Sequence, residues 1–185
     1  MIHYHALEPE DIEVFSLAIG NYFEATTGRR AEVRSAYLLD EQAPPCLGND
    51  YNGLIEISGG YSGSVCFSAP TSLLSHVLLS SGERDFTDEK HADLVGEIAN
   101  TLAGQARRHF GERLGIAPPR TFRGKQMLPN RLPNALPNAL PNGVPIPPQK
   151  SRVRSRPYAI PLIWHGYAAD LVVCLTSGSA PFIKA

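Results

Sequence analysis

The chain has 185 residues, of which 43% are hydrophobic, and a formal net charge of -1. That length predicts one domain over residues 1–185 with an ordinary core, and the near-neutral balance excludes nucleic-acid binding through bulk charge. No apolar run approaches the ~18 residues that span a bilayer. The start, MIHYHALEPEDIE, lacks the basic stretch and apolar core of a signal peptide, so the expectation is a cytoplasmic protein with no membrane contact. Cys46, Cys66 and Cys174 are an odd set without CxxC spacing. Cys66 and Cys174 lie in apolar, strand-like runs, which predicts buried free thiols suited to a reducing compartment.

In chain order, Ile12, Phe15, Ala18, Ile19, Tyr22 and Phe23 recur at helical spacing and predict a first helix from about Glu8 to Thr26, stopped by Gly28. His3 and His5 lack a third ligand at defined spacing, so no metal site is expected. Arg30 to Leu39 alternates like a strand, and Asp40 to Asp50 reads as a loop. Tyr51 to Ser58 and Tyr61 to Ser68 read as two strands turning at Gly59-Gly60. GGYSGS within them lacks the lysine of a phosphate-binding loop. Pro70 to Leu79 predicts a short apolar helix.

Thr87 to Gly111, TDEKHADLVGEIANTLAGQARRHFG, predicts one amphipathic helix. Thr87 suits its cap, Asp88 and Glu89 its positive end, Arg107, Arg108 and His109 its negative end, and Gly111 its stop. Leu94, Val95, Ile98, Ala99, Leu102, Ala106 and Phe110 share one side. Asp93, Glu97 and Asn100, spaced i, i+4, i+7, line up on the other with Gly104, and Gly96 sits on the margin. An interior glycine costs a helix about 1 kcal/mol relative to alanine. On the outer face, it lowers the surface beside the polar side chains so that a partner's backbone can approach.

Asp93-xxx-Glu97-xx-Asn100, set in DLVGEIANTLAGQA, resembles the signature helix of the CheX/CheC family of chemotaxis phosphatases. GGYSGSVCFSAP resembles the family's GxSGxV-like strand. The first helix has no ExxN at a matching place, so the resemblance is to the single-site CheX type. It implies hydrolysis of the phosphoaspartate of a CheY-type response regulator. Glu97 would pair with the regulator's lysine, and Asn100 would orient the attacking water. Asp93 falls on a flanking position, and Gly96 and Gly104 complete the docking surface. It also implies that the metal, Mg2+, belongs to the partner, that this chain has no cofactor of its own, and that two chains pair. The chemistry suits these residue types. An acyl phosphate is already reactive, so an amide that accepts a hydrogen bond from water and donates one to a phosphoryl oxygen supplies the missing positioning.

Beyond Gly111, a link through Ile116, Pro118 and Pro119 leads to a strand at PRTFRG. LPN recurs four times within Met127 to Pro148 and predicts an extended or turn-rich insertion, because prolines so dense remove backbone donors. This insertion is either a partner-binding arm or an expansion without a role. Lys150, Arg152, Arg154 and Arg156 alternate, and either protect a sheet edge or attract an acidic receiver surface. An edge strand carrying Pro157 and Pro161 runs to Trp164. His165-Gly166 turns, and Tyr167 to Thr176 is a final interior strand, followed by a tail expected to fray. The order predicts an α+β fold: one curved, largely antiparallel sheet with the long helices on one face. Two other functions fit this fold. One is a non-catalytic receiver-binding or dimeric adaptor, and the other a small-molecule sensor.

Overall fold

The computed structural model describes residues 4–40, 48–124 and 156–178. His3, Cys46, the LPN run, Lys150, Arg152, Arg154 and the C-terminal tail lie outside the described residues. The elements run β1 (Tyr4–Ala6), α1 (Pro9–Thr27), β2 (Glu32–Val33), β3 (Tyr37–Leu38), β4 (Tyr51–Gly59), β5 (Tyr61–Ala69), α2 (Thr71–Ser80), α3 (Asp88–Phe110), β6 (Leu114–Ile116), β7 (Arg120–Arg123), β8 (Tyr158–Trp164) and β9 (Tyr167–Gly178). All strands join one antiparallel sheet in the order β2-β8-β9-β5-β4-β6, with β1 on β9, β3 on β8 and β7 on β4. The α+β fold with one antiparallel sheet, expected from the order of apolar runs, is the observed one. No helix among the described residues is long and apolar enough to cross a membrane.

The topology repeats itself. The series α1, β2, β3, β4, β5 is followed by α3, β6, β7, β8, β9, with α2 between them. In each half, a helix leads through two short strands into a hairpin, and the short strands pair with the hairpin of the other half. β5 and β9 meet at the centre of the sheet, where Cys66 faces Val172.

The pair β2 and β3 replaces a run, Arg30 to Leu39, that the sequence pattern makes continuous, and proline explains that interruption as well as the one between β6 and β7. Arg34 N–H donates to the Pro161 carbonyl at 2.8 Å, but Pro161 has no N–H to return, so β2 and β3 are separate pieces along β8. Pro118 and Pro119 likewise fall between β6 and β7, both of which run along β4. The strands β1 and β6 are additions to the predicted set. Three residues each are too few for periodicity to register.

α1 and α3 pack side by side on one sheet face. Phe15, Ile19 and Phe23 of α1, Leu73, Leu74 and Val77 of α2, and Val95, Ile98 and Leu102 of α3 are all buried. They cover Tyr51, Ile55, Val65, Phe67, Leu171 and Val173 of the sheet. The Phe23 ring lies 5.5 Å from that of Trp164 and 6.5 Å from that of Phe67. Leu54, Cys66 and Phe122 form a separate apolar cluster. Cys66 corrects the free-thiol expectation: it is disulfide-bonded, and pairing depends on Cβ geometry that spacing does not reveal. Cys174 is a thiol, and burial pushes its pKa up.

Candidate functional site

α3 begins and ends as its residues dictate. Thr87 Oγ1 accepts the Lys90 N–H at 3.4 Å. At the other end, Gly111 takes φ 82° and ψ -179°, a region open essentially to glycine, and its N–H donates to the Arg107 carbonyl at 2.8 Å. Asp93, Glu97 and Asn100 stand exposed along the side of α3 that faces away from the sheet. Among the described residues, none of their three side chains makes a hydrogen bond or an ion pair. The ridge is therefore open, and its polar groups are uncommitted.

The two glycines of the helix do different things. Gly104 is half-buried, and a Cβ added there would meet nothing within 4 Å. Nothing inside the described chain requires glycine at that place, which leaves a notch beside the ridge. Gly96 corrects the expectation of a docking glycine. It is buried, and a Cβ there would meet Thr121 Cγ2 at 2.9 Å and Pro119 Cβ at 3.5 Å. On the sheet, Gly53 lies under the same turn, where a Cβ would collide with the backbone of Val95 and Gly96. These paired glycines let α3 settle against β4 and β7 more closely than side chains would permit. The glycine in the middle of β4 is the sequence signal that could have indicated the close approach.

Contacts from four elements anchor the helix. Asp88, in its first turn, accepts from the Tyr51 hydroxyl of β4 at 2.6 Å and from Arg123 of β7, whose guanidinium lies 5.2 Å from the Tyr51 ring centre. The Tyr51 hydroxyl, then Arg123, hold the Asp88 carboxyl below its ordinary pKa. One turn on, buried His91 lies with its ring 5.2 Å from that of Tyr51, and its Nε2 sits 2.8 Å from Ser75 Oγ of α2. At the far end, His109 Nε2 meets Asp11 Oδ1 of α1 at 3.0 Å, and the Phe110 and Phe15 rings lie 6.0 Å apart. Tyr22 of α1 is buried near Glu97. Burial first, and the Glu97 charge second, push its pKa up to about 12, so it stays a neutral hydroxyl. The Asp11–His109 and Tyr22–Glu97 proximities set α1 antiparallel to α3 along the ridge. The anchoring roles of Asp88, His91, Tyr51, Arg123 and Tyr22 escape sequence reasoning, which reads Asp88 as a helix-end charge, Tyr22 as a core position and Tyr51 as a strand start, because each acts through a residue distant in the chain.

Chemically, the ridge offers two carboxylates and one neutral amide within about two helical turns. It has no nucleophile and no strong base. Such a set can dock a cation and orient a water, provided that the reactive bond comes from elsewhere.

The sequence model of the family described as chemotaxis phosphatase CheX matches residues 51–134, a stretch that contains the whole of α3. A search of curated proteins finds no match. Among solved structures, a CheC-like superfamily protein from Shewanella sp. PV-4 is similar, with a TM-score of 0.67 and 20% identity, covering 91% of this chain and 99% of that one. Chemotaxis protein CheX from Vibrio vulnificus is similar with a TM-score of 0.65 and 21% identity, covering 90% and 99%. A chain of the CheX-CheY-BeF3-Mg2+ complex from Borrelia burgdorferi has a TM-score of 0.61 and 16% identity, covering 89% and 96%. The fold is thus a CheX/CheC-like one. The resemblance carried by the α3 motif is borne out by the CheX sequence model across that helix.

Proposed function

We propose that this protein is a CheX-like phosphatase that hydrolyses the phosphoaspartate of a CheY-type receiver domain. One observation carries the reading: Asp93, Glu97 and Asn100 stand exposed in a row, committed to nothing among the described residues, on a helix that matches the CheX model. The Borrelia burgdorferi complex, in which a chain of this fold is bound to CheY, supports the choice of partner. In the proposed step, the ridge enters the receiver's site. The Asn100 amide oxygen accepts a hydrogen bond from the attacking water while its NH2 donates one to a phosphoryl oxygen, so the water is held in line as its oxygen bonds to phosphorus, the P–O bond to the receiver aspartate breaks and the aspartate leaves as a carboxylate. Glu97 pairs with the receiver's lysine, and Asp93 adds to the acidic field around it. Gly104 leaves room for the receiver backbone. Mg2+ is held by the receiver, and this chain supplies no cofactor. The reading includes a homodimer acting in the cytoplasm.

The test is phosphate release from phosphorylated receiver domains with and without the protein, with binding measured in parallel. Faster release from at least one receiver, lost in Asn100→Ala, is the expected result. Binding to the phosphorylated receiver without any change in phosphate lifetime would replace the enzyme by the adaptor. No binding to any receiver would remove both and leave the sensor.

A further inference from the structure

The β8–β9 hairpin turns on His165 and Gly166, both at positive φ, 49° and 81°. The corresponding β4–β5 hairpin turns on Gly59 and Gly60. A side chain other than that of glycine is disfavoured in this left-handed region, and residues held there cluster where the surroundings use the side chain. The His165 ring lies 4.5 Å from that of His76 on α2 and 4.4 Å from that of Trp164. Arg29 Nη1 donates to His165 Nδ1 at 3.4 Å, which leaves the imidazole proton on Nε2. The Arg29 backbone is fixed in turn by Trp164 Nε1, which donates to its carbonyl at 3.0 Å.

These contacts gather positive charge without an equal negative one. Among the described residues, no carboxylate pairs with Arg29. Arg30 is held in place: Nη1 donates to Asn21 Oδ1 at 3.1 Å and to Glu24 Oε2 at 2.9 Å. Its guanidinium lies over Gly20, where a Cβ would sit 2.7 Å from it. Glycine at position 20 is what lets that planar group rest across the helix. Glu32 is paired with Arg34 at 3.2 Å. Arg29, Arg30, Glu32, Ile163, His165 and Gly166 surround an open cavity of about 380 Å³.

The geometry points to a binding site for a small phosphate-type oxyanion in this cavity, held by the Arg29 and Arg30 guanidinium groups and by the His165 imidazole. Guanidinium forks match the oxygen spacing of such an anion, and the remaining N–H groups of both arginines are available for it. The groups facing His165 are Arg29 and Arg30 after α1, Glu32 of β2, His76 of α2 and Tyr167 of β9. Partial desolvation, then Arg29 and His76, hold the His165 pKa below its ordinary value. A bound anion opposes the two charge effects, so protonation and binding favour one another and affinity rises as pH falls. The site uses no residue of the α3 ridge, so it stands or falls independently of the phosphatase reading.

The full chain is titrated with inorganic sulfate, an oxyanion of the same shape whose charge stays fixed across this range, at about pH 6 and pH 8, spanning the histidine range, by calorimetry and by shifts of the Arg29, His165 and Gly166 resonances. Saturable shifts confined to the cavity are expected, tighter at the lower pH. Arg29→Ala should weaken binding by about tenfold or more, the size of one charged hydrogen bond. Arg84→Ala, an exposed arginine outside the cavity, should change nothing. His165→Gly keeps the turn, relieves its backbone and should remove the pH dependence while sulfate still binds. Shifts that grow linearly to about 10 mM, a concentration at which even a millimolar site saturates, overturn the proposal. Equal affinity in Arg29→Ala also overturns it, and pH dependence that persists in His165→Gly removes the imidazole from it.

Discussion

The two halves of the molecule place a helix in the same setting and use it differently. α1 and α3 each lead into two short strands and a hairpin, each packs on the same sheet face, and each ends at a glycine of positive φ, Gly28 and Gly111. Counting back from those glycines sets Leu17 against Asn100, Val14 against Glu97 and Glu10 against Asp93. Leu17 is 50% exposed, so the position faces outward in α1 as it does in α3. An apolar side chain there has neither donor nor acceptor for a water, whereas an amide has both. The topology therefore repeats the outward position of Asn100 at Leu17, while Val14, unlike Glu97, packs partly against the core, and residue chemistry distinguishes the two helices.

Asn100→Ala offers the largest contrast. Receiver-stimulated phosphate release should fall about a hundredfold, the scale of losing one positioning contact, with the thermal midpoint unchanged because the side chain is exposed and unbonded. Full activity in that variant would mean that α3 is no more special than α1.

Tyr22 links the halves, since it reaches from α1 towards Glu97. Its folded pKa of about 12 lies above the unfolded value of 10.0, so its contribution is complete below about pH 10 and disappears as pH rises towards 12. The difference corresponds to about 2–3 kcal/mol. Denaturant titrations between those pH values should show a steeper loss of stability in the wild type than in Tyr22→Phe. Equal slopes would place the tyrosine in solvent.

The glycines separate packing from docking. Gly53→Ala forces a methyl into the α3 backbone and should cost about 1–3 kcal/mol of unfolding free energy. Gly104→Ala should stabilise the fold by up to about 1 kcal/mol, yet slow receiver-stimulated release by narrowing the notch. A Gly104→Ala protein of unaltered activity would show that the partner does not approach there.

Glu97→Ala should raise the half-saturating receiver concentration about tenfold, as expected for losing one ion pair, and leave the maximal rate nearly intact. At the small end, Leu17→Ala should shift stability by no more than about 0.5 kcal/mol and leave phosphate release as it was. A large loss of release in that variant would make α1 part of the docking surface and erase the contrast between the halves.

The ends of α3, its polar row and the two hairpins were legible because each rests on neighbours in the chain. A cap acts over three residues, a helical face repeats every three or four, and a glycine turn acts locally. Asp50 shows where legibility stops. Its carboxylate accepts from both the Thr71 N–H and the Thr71 hydroxyl at 2.8 Å, which caps α2 and holds the Asp50 pKa down. The α2 sequence opens at Pro70 without a side-chain cap of its own, so the acceptor that supplies that cap was invisible. The Asp88–Tyr51–Arg123 clasp and the pairing of Arg34 with Pro161 at the break between β2 and β3 likewise join residues distant in sequence.

By itself, then, the sequence determined which residues could carry the chemistry and where the helix that bears them starts and stops, since spacing and capping are short-range effects. The tertiary structure alone decided that Gly96 is buried while Asn100 stands free, and that Arg29 meets His165. Burial and long-range charge depend on which surfaces the sheet brings together.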